Sequence, residues 1–228
     1  MTVGSSITWT TLTGASTVDG SIAGWLNHSS ITGVADTIVA DAEAFIYRDL
    51  RHWRMLTSTT GTFTSNAGGS PTVTDYIAIP ADYLEDKVLY VTGIYYQKME
   101  RRTMEEVIAA YGYDGSGYRI PQQPMWYFND QTNLKFDSPP DQAYPYLLYY
   151  YQQPQALSAS NTTNFLTQFY PRLLRCACCA LAAEYMKDAG QGNYDRSYWE
   201  QAAMLELSKA QVESDRSFRS QELGMILK

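Results

Sequence analysis

The clearest periodic pattern of apolar residues lies near the start of the chain. From Asp36 to Arg54, apolar side chains recur at spacings of three and four, at Ile38, Ala42, Phe45, Ile46, Leu50 and Trp53. This spacing places them on one side of a helix, so it predicts an amphipathic helix over that range. The pattern from Thr17 to Leu26 predicts a shorter, weaker helix, because Gly20 and Gly24 lower its helical propensity.

The middle of the chain has the composition of strands and turns. Residues Thr57 to Pro71 are rich in Thr, Ser, Gly and Asn, which predicts a loop or an exposed hairpin arm. Alternation and β-branched or aromatic content predict strands over Thr72–Ile79, Lys87–Gln97, Met125–Phe128, Leu134–Phe136 and Tyr144–Tyr151. Residues Asn129 to Asn133 predict a hairpin loop. Thr103 and Glu106 have the spacing of a capping box, which predicts a short helix ending near Tyr111.

The last part of the chain is helical again. Pro171 suits the first turn of a helix, which is predicted to continue to about Asp188. Ser197 and Glu200 have the spacing of a second capping box, which predicts the start of a long final helix. Beyond Ser214 the apolar periodicity fades.

These elements predict an α+β fold. An α-helical bundle from the N- and C-terminal segments would carry an inserted antiparallel β-sheet region and an extended C-terminal tail. The expected parts are the N-terminal helices at 1–56, the β-rich insertion at 57–155, the C-terminal helices at 156–213 and the tail at 214–228.

Charge and composition narrow the possible functions. The net charge of −7 argues against a sequence-reading DNA binder, because such affinity depends on Lys and Arg at the phosphates. An acidic wall is still compatible with DNA that passes without adhering. The nineteen tyrosines favour extensive protein interfaces. The sequence shows no secretory signal and no membrane-spanning apolar run, so we expect the protein to be made in the cytoplasm.

The candidate catalytic and metal-binding residues have stronger structural interpretations. Cys176, Cys178 and Cys179 cannot all converge on a metal from one helix, so we expect free thiols in a core. His28 and His52 lie in no catalytic motif. The acidic cluster Asp82, Glu85 and Asp86 is expected to form a solvated turn, because acids so close in sequence rarely face one another across a substrate. We therefore expect no catalytic residue, no cofactor and no metal.

Several segments, taken in order, resemble the head-to-tail adaptor (connector) family of tailed bacteriophages. They are the helix from Val39 to Arg51, the Ile79-Pro-Ala-Asp-Tyr-Leu-Glu corner, Trp126-Tyr-Phe with Lys135-Phe, the tyrosine-rich strand, Tyr170-Pro171 with its Ala-rich helix, and Tyr198-Trp199. The resemblance covers nearly the whole chain.

The resemblance implies a structural virion protein without catalytic activity. It implies a ring of twelve copies in the neck, beneath the portal protein, which connects the capsid vertex to the tail and lets double-stranded DNA pass. A downstream tail or tail-nozzle protein would be a further partner. The portal-binding tail is expected at Phe218, Arg219, Leu223, Met225, Ile226 and Leu227, and contacts with other copies or tail components at Tyr113, Tyr118, Tyr149 and Tyr151.

Two alternatives remain at the level of the sequence. A stopper or tail-tube protein would share the acidity, and only the geometry of its assembly would distinguish it from an adaptor. A host-glycan-binding tail protein would use the tyrosine-rich strand as a stacking platform and would lose glycan affinity when Tyr149 or Tyr151 is changed to Ala.

Overall fold

The polypeptide begins in a helical unit, forms a β-rich unit and then returns to the helical unit. In the computed structural model, residues 1–55 and 154–228 form the helical unit and residues 56–153 form the sheet unit. The structure describes residues 7–65, 75–92, 95–112, 119–188 and 195–226, with the backbone alone for 188 and 219–226. The mixture of helices and strands confirms the predicted α+β class.

The secondary-structure elements follow one another in three blocks. The helices are α1 (Trp9–Leu12), α2 (Ile22–Trp25), α3 (Ala35–Asp49), α4 (Met104–Ala109), α5 (Phe165–Phe169), α6 (Pro171–Asp188) and α7 (Arg196–Ile226). The strands are β1 (Leu56–Thr62), β2 (Tyr76–Ala78), β3 (Tyr83–Thr92), β4 (Tyr96–Lys98), β5 (Glu100–Arg101), β6 (Trp126–Asn129), β7 (Asn133–Phe136) and β8 (Pro145–Gln152). Short 3-10 turns lie at Ser29–Gly33 and Trp53–Met55.

Helix α6 is the centre of the helical unit. It contacts α2, α3, α5 and α7 within that unit, and it begins and ends at the residues that the sequence predicted. Small and apolar side chains cover most of its circumference, and those from Cys176 to Ala180 are all buried. A helix that is apolar nearly all round has to be surrounded by other elements.

Helix α3 ends earlier than the periodicity predicted. Its buried side carries Ile38, Val39, Ala42 and Ile46, but the helix stops at Asp49 and Leu50 is extended. The backbone N–H of the nearby Trp53 donates to the Ser214 hydroxyl at 2.9 Å. This hydrogen bond to α7 thus takes the place of the bond that the Trp53 N–H would make if α3 continued.

A buried carboxylate connects α3 to the segment before α5. Glu43 accepts hydrogen bonds from the Leu157 backbone N–H at 2.9 Å and from Asn164 Nδ2 at 2.5 Å. The Asn164 side-chain oxygen in turn accepts from the backbone N–H groups of Leu166 and Thr167, which caps α5. Burial raises the pKa of Glu43, and these two hydrogen bonds oppose the rise. Glu43 therefore orients the residue that starts α5.

A chain of hydrogen bonds centred on His52 holds α7 to the rest of the unit. His52 Nδ1 accepts from the Arg54 backbone N–H at 3.3 Å, which leaves the proton on Nε2. Nε2 lies 2.8 Å from the Tyr170 hydroxyl, and that hydroxyl donates to Glu213 of α7 at 3.0 Å. His52 is completely buried. Burial lowers its pKa, against the opposing effect of the Glu213 carboxylate.

The sheet unit consists of two sheets that enclose one core. Their strand orders are β1-β8-β3-β4 and β2-β7-β6-β5. Alternate residues of each strand point inward, and the fully buried ones include Leu89 and Leu148 from the first sheet and Tyr127, Leu134 and Phe136 from the second. The predicted capping box of Thr103 and Glu106 and the hairpin between β6 and β7 are confirmed.

The sheet unit also departs from the prediction at three places. Strand β5 pairs with β6 in parallel, so the insert is not purely antiparallel; the long connection through α4 makes this crossover possible. Residues Thr57 to Thr62, part of the segment predicted as a loop or an exposed hairpin arm, belong to strand β1, because their β-branched threonines pair along β8. The predicted strand Lys87–Gln97 is two strands, in which Tyr96 pairs back onto Thr92.

Helix α7 differs from the prediction at both ends. Asp195 accepts from the Tyr198 backbone N–H at 3.2 Å, so Asp195 and not Ser197 caps its first turn. The expected extended tail is wrong, since α7 continues to Ile226. Arg216, Arg219, Gln221, Glu222, Leu223 and Met225 in this segment are of types that are strong helix formers. Apolar periodicity indicates which side of a helix packs against other elements. Its loss beyond Ser214 does not lower the intrinsic helical propensity of these residues.

Replacing Glu43 with Ala is expected to lower the free energy of unfolding by about 3 kcal/mol, because two buried donors lose their acceptor. Glu43→Gln keeps one acceptor and should cost less. Chemical denaturation of the isolated chain measures both, and Asp41→Ala, at an exposed position of the same helix, is the control. Equal stabilities of the Glu43→Ala and Asp41→Ala variants would contradict this role of Glu43.

The His52 chain should make stability depend on pH. Because the folded pKa of His52 is lowered, its contribution is complete above the unfolded pKa of about 6.5 and is lost as the pH falls below it. The free energy of unfolding is therefore expected to decrease from pH 7 to pH 5.5, and less steeply in His52→Gln. Denaturation series at several pH values measure the slopes. The control is His28→Gln, and identical slopes in wild type and His52→Gln would refute the assignment.

Candidate functional site

The C-terminal part of α7 extends beyond Ser214, the last buried side chain of this helix among those that the structure describes. Gln211 donates to the Asp49 carbonyl at 3.2 Å, and Ser214 is 1% exposed against Trp53. The helix then continues to Ile226, which at 1.5 Å per residue is about 18 Å past Ser214. This segment forms the first candidate surface.

Most of the expected portal-binding residues lie on this part of α7. Phe218 is half-buried, and the backbone of Arg219, Leu223, Met225 and Ile226 is helical. Leu227 lies outside the described residues. These residues thus belong to one continuous helix, and not to an extended segment.

The expected tyrosine contacts have different environments. Tyr149 is half-buried and pairs with Ser58 and Val88, on the face of the first sheet opposite the core residue Tyr150. Tyr151 is only 7% exposed and offers little surface for a partner. Tyr113 and Tyr118 lie outside the described residues.

The most exposed aromatic side chains of the described residues were not selected from the sequence. Tyr95 and Tyr96 are 84% and 71% exposed, and the Tyr96 ring meets Tyr90 edge to face, with ring centroids 6.2 Å apart. They lie where β3 turns back into β4. The sequence from Lys87 to Gln97 is rich in apolar and aromatic residues and was predicted as a single strand. The two tyrosines were therefore placed inside that strand and not at a turn between two strands.

Strand β1 is an unusual edge of the first sheet. Within the described residues it pairs only with β8, and its sequence, Leu-Thr-Ser-Thr-Thr-Gly-Thr, has neither charge nor proline. Proteins commonly protect edge strands with charged residues, proline or short length. The edge strands β4 and β5 are short and carry Lys98, Glu100 and Arg101. Among the described residues, no strand pairs with the outer edge of β1, which leaves this edge without a protecting feature of its own.

The acidic cluster forms separate structural contacts. Asp86 is buried and accepts from the hydroxyls of Tyr83 at 2.5 Å and Tyr127 at 2.7 Å, with Arg101 at 3.4 Å. Asp82 instead accepts from Tyr150 at 3.0 Å. The prediction of a solvated turn is therefore wrong for Asp86. Nothing in the sequence spacing indicated that tyrosines from two strands would enclose this carboxylate.

The three cysteines are free and buried, as predicted. Burial raises the pKa of Cys179 to about 12, which keeps its thiol protonated. No group of three or more potential metal ligands occurs among the described residues. The buried thiols therefore serve packing.

The comparisons with known proteins agree with these observations. The family model of the SU10 adaptor protein matches residues 13–223, which include nearly all of both units. No curated protein matches the chain. Within the described part of the chain, no helix is long and apolar enough to cross a membrane. The match confirms the resemblance to phage head-to-tail adaptors, and the chain belongs to the SU10 adaptor protein family of structural phage proteins.

Proposed function

We propose that this adaptor forms a ring of twelve copies in the neck of the virion, beneath the portal protein. The ring connects the capsid vertex to the tail, and double-stranded DNA passes through it. The family match over residues 13–223 carries this proposal. The net charge of −7 supports it, since an acidic lumen would repel the DNA backbone and let the polymer slide.

The portal contact is assigned to the C-terminal part of α7. Ser214 is the last buried side chain of α7 among those described, and the following residues combine apolar types with Arg219. A helix that carries apolar side chains can dock into a groove of a partner protein. Hydrogen bonds to Glu213 and Ser214 hold α7 in place at these two residues. The portal-binding segment therefore begins at a fixed point of the helical unit.

Removal of residues 215–228 is expected to abolish portal binding, because the contacting surface is lost while the buried anchors remain. The triple variant Phe218→Ser, Leu223→Ser, Ile226→Ser should weaken binding by about 30-fold or more, the loss typical of apolar hot-spot residues. Affinity for the purified portal protein of the same phage, with cryo-electron microscopy of the mixture, measures both.

The control for this experiment is the double variant Asp215→Ala, Arg216→Ala, at two exposed positions of the same helix. It should bind like the wild type. Full binding by the truncated chain would refute the assignment of the portal contact to α7. A wild-type chain that neither binds the portal nor forms rings would refute the adaptor function in the neck.

The sheet unit is the candidate contact for other copies or for the downstream tail or nozzle protein. Tyr149 remains the best supported of the expected tyrosines, because it is half-buried on the outer face of the first sheet. The proposal extends to Tyr113 and Tyr118 by their place in the sequence alone. Tyr95 and Tyr96 add to this set through their exposure.

Tyr149→Ser is expected to leave portal binding intact and to weaken the next assembly step, because an aromatic contact is lost at the interface. Reconstitution of the neck from purified components, followed by electron microscopy, measures the fraction of particles that carry the next component. Thr60→Ser, at an exposed position of β1, is the control. Unchanged assembly in Tyr149→Ser would exclude this contact.

The glycan-binding alternative has little support from the structure. A stacking platform requires exposed ring faces, whereas Tyr151 is buried and Tyr150 belongs to the core. The stopper and tail-tube alternatives receive no support from the family match, which is to an adaptor.

A further inference from the structure

Helix α7 carries a second apolar stripe opposite its buried side. The buried side consists of Ala203, Leu207, Ala210 and Ser214. Tyr198, Leu205 and Val212 follow one another at intervals of seven residues and are 61%, 56% and 46% exposed. They lie roughly 200° around the helix from the buried side. A helix already packed on one side does not need this stripe for folding, and exposed apolar surface of this kind marks an interaction site.

An aromatic cluster with an arginine continues this stripe at its N-terminal end. The Tyr198 ring contacts Trp199 with centroids 5.1 Å apart, and Trp199 contacts Trp25 at 5.9 Å. The Arg175 guanidinium stacks on Trp25 at 4.2 Å from the ring centroid, and Trp25 is 41% exposed. We call Trp25, Arg175, Tyr198, Leu205 and Val212 the α7 patch.

Arg175 lacks an acidic partner in the described part of its own chain. It takes part in none of the ion pairs found there, and its Nε is buried without a hydrogen-bond acceptor. A buried donor without an acceptor is unfavourable. Trp, Tyr and Arg are also the residue types that contribute most to protein interfaces. Because the Arg175 guanidinium has no acidic partner among the described residues, a carboxylate on the covering surface would complement its charge.

Helix α3 presents a complementary surface. Its exposed side carries the small residues Thr37, Ala40 and Ala44 with Asp41, and Asp36 lies beside them. Neither aspartate takes part in an ion pair within the described residues. Small side chains leave room for large ones, as in the packing of ridges into grooves. We call these five residues the α3 face.

The two surfaces also agree in length. The stripe from Tyr198 to Val212 spans about 21 Å and α3 spans about 22 Å, at 1.5 Å per residue. Both belong to the helical unit, so the contact does not depend on the placement of the sheet unit. A polyanion fits the patch poorly, because its affinity requires several cations and the stripe is apolar.

We propose that the α7 patch of one copy packs against the α3 face of the neighbouring copy, with Arg175 paired to Asp41. This inference rests on the proposed ring and names the surfaces that would close it. Two different surfaces of one chain form a heterologous contact, which repeats around an axis and generates a ring. Each copy in the ring then contacts one neighbour through its α7 patch and the other neighbour through its α3 face.

The test is a charge exchange in the full-length chain mixed with its portal. Arg175→Glu and Asp41→Arg are each expected to reduce the fraction of chain in rings by about 10-fold or more, since like charges would face one another. The double variant Arg175→Glu, Asp41→Arg should restore rings, because every interface then holds the exchanged pair. Mass photometry and negative-stain microscopy count the rings.

A second variant covers the possibility that Arg175→Glu disturbs folding. Leu205→Glu changes an exposed residue and should also reduce the ring fraction by about 10-fold, with an unaltered melting temperature. Controls are Lys187→Glu on α6 and Gln201→Ala on α7, both at exposed positions, and both should form rings.

The outcomes separate this inference from the proposed function. Rings in the wild type that persist in both Arg175→Glu and Leu205→Glu would overturn the assigned surfaces and leave the adaptor function standing. Loss of rings in the single variants without recovery in the double variant would overturn the pairing of Arg175 with α3. A wild type without rings would remove the proposed ring and this inference with it.

Discussion

The burial of α6 is the constraint on which the helical unit depends. Its side chains are small or apolar over most of the circumference, and no single neighbouring helix could cover them. Four helices pack around α6: α2 and α3 from the N-terminal part of the chain, and α5 and α7 from the C-terminal part. Folding of this unit must therefore bring together segments separated by about a hundred residues, and the sheet unit is tolerated as an insertion because its own core is closed.

Buried polar groups of the helical unit determine where its helices begin and end. Glu43 orients the cap of α5 through Asn164, and the hydrogen bonds of His52 and Tyr170 connect Glu213 of α7 to the residue between α5 and α6. Both networks join elements that are distant in sequence. Each is satisfied only when the apolar packing around α6 is correct, so they specify one arrangement, since a buried group left unpaired is costly.

The sequence predicted the parts of the fold that have local causes. The bounds of α6, the capping box at Thr103 and the hairpin after Asn129 follow from propensity and turn chemistry. The early end of α3, the enclosure of Asp86 and the lack of an acceptor for Arg175 Nε among the described residues arise from contacts between residues distant in sequence, which periodicity does not predict. The prediction of an extended C-terminal tail was wrong because it was based on apolar periodicity, whereas intrinsic helical propensity determines the structure of this segment.

The open edge of β1 has a consequence for the life of the protein before assembly. An uncharged edge strand of seven residues is a template for adding strands from any other chain, including misfolded or nascent ones. Because the edge carries no lysine or proline to discourage such pairing, strand addition at β1 is expected to become faster as the concentration of unassembled chains rises.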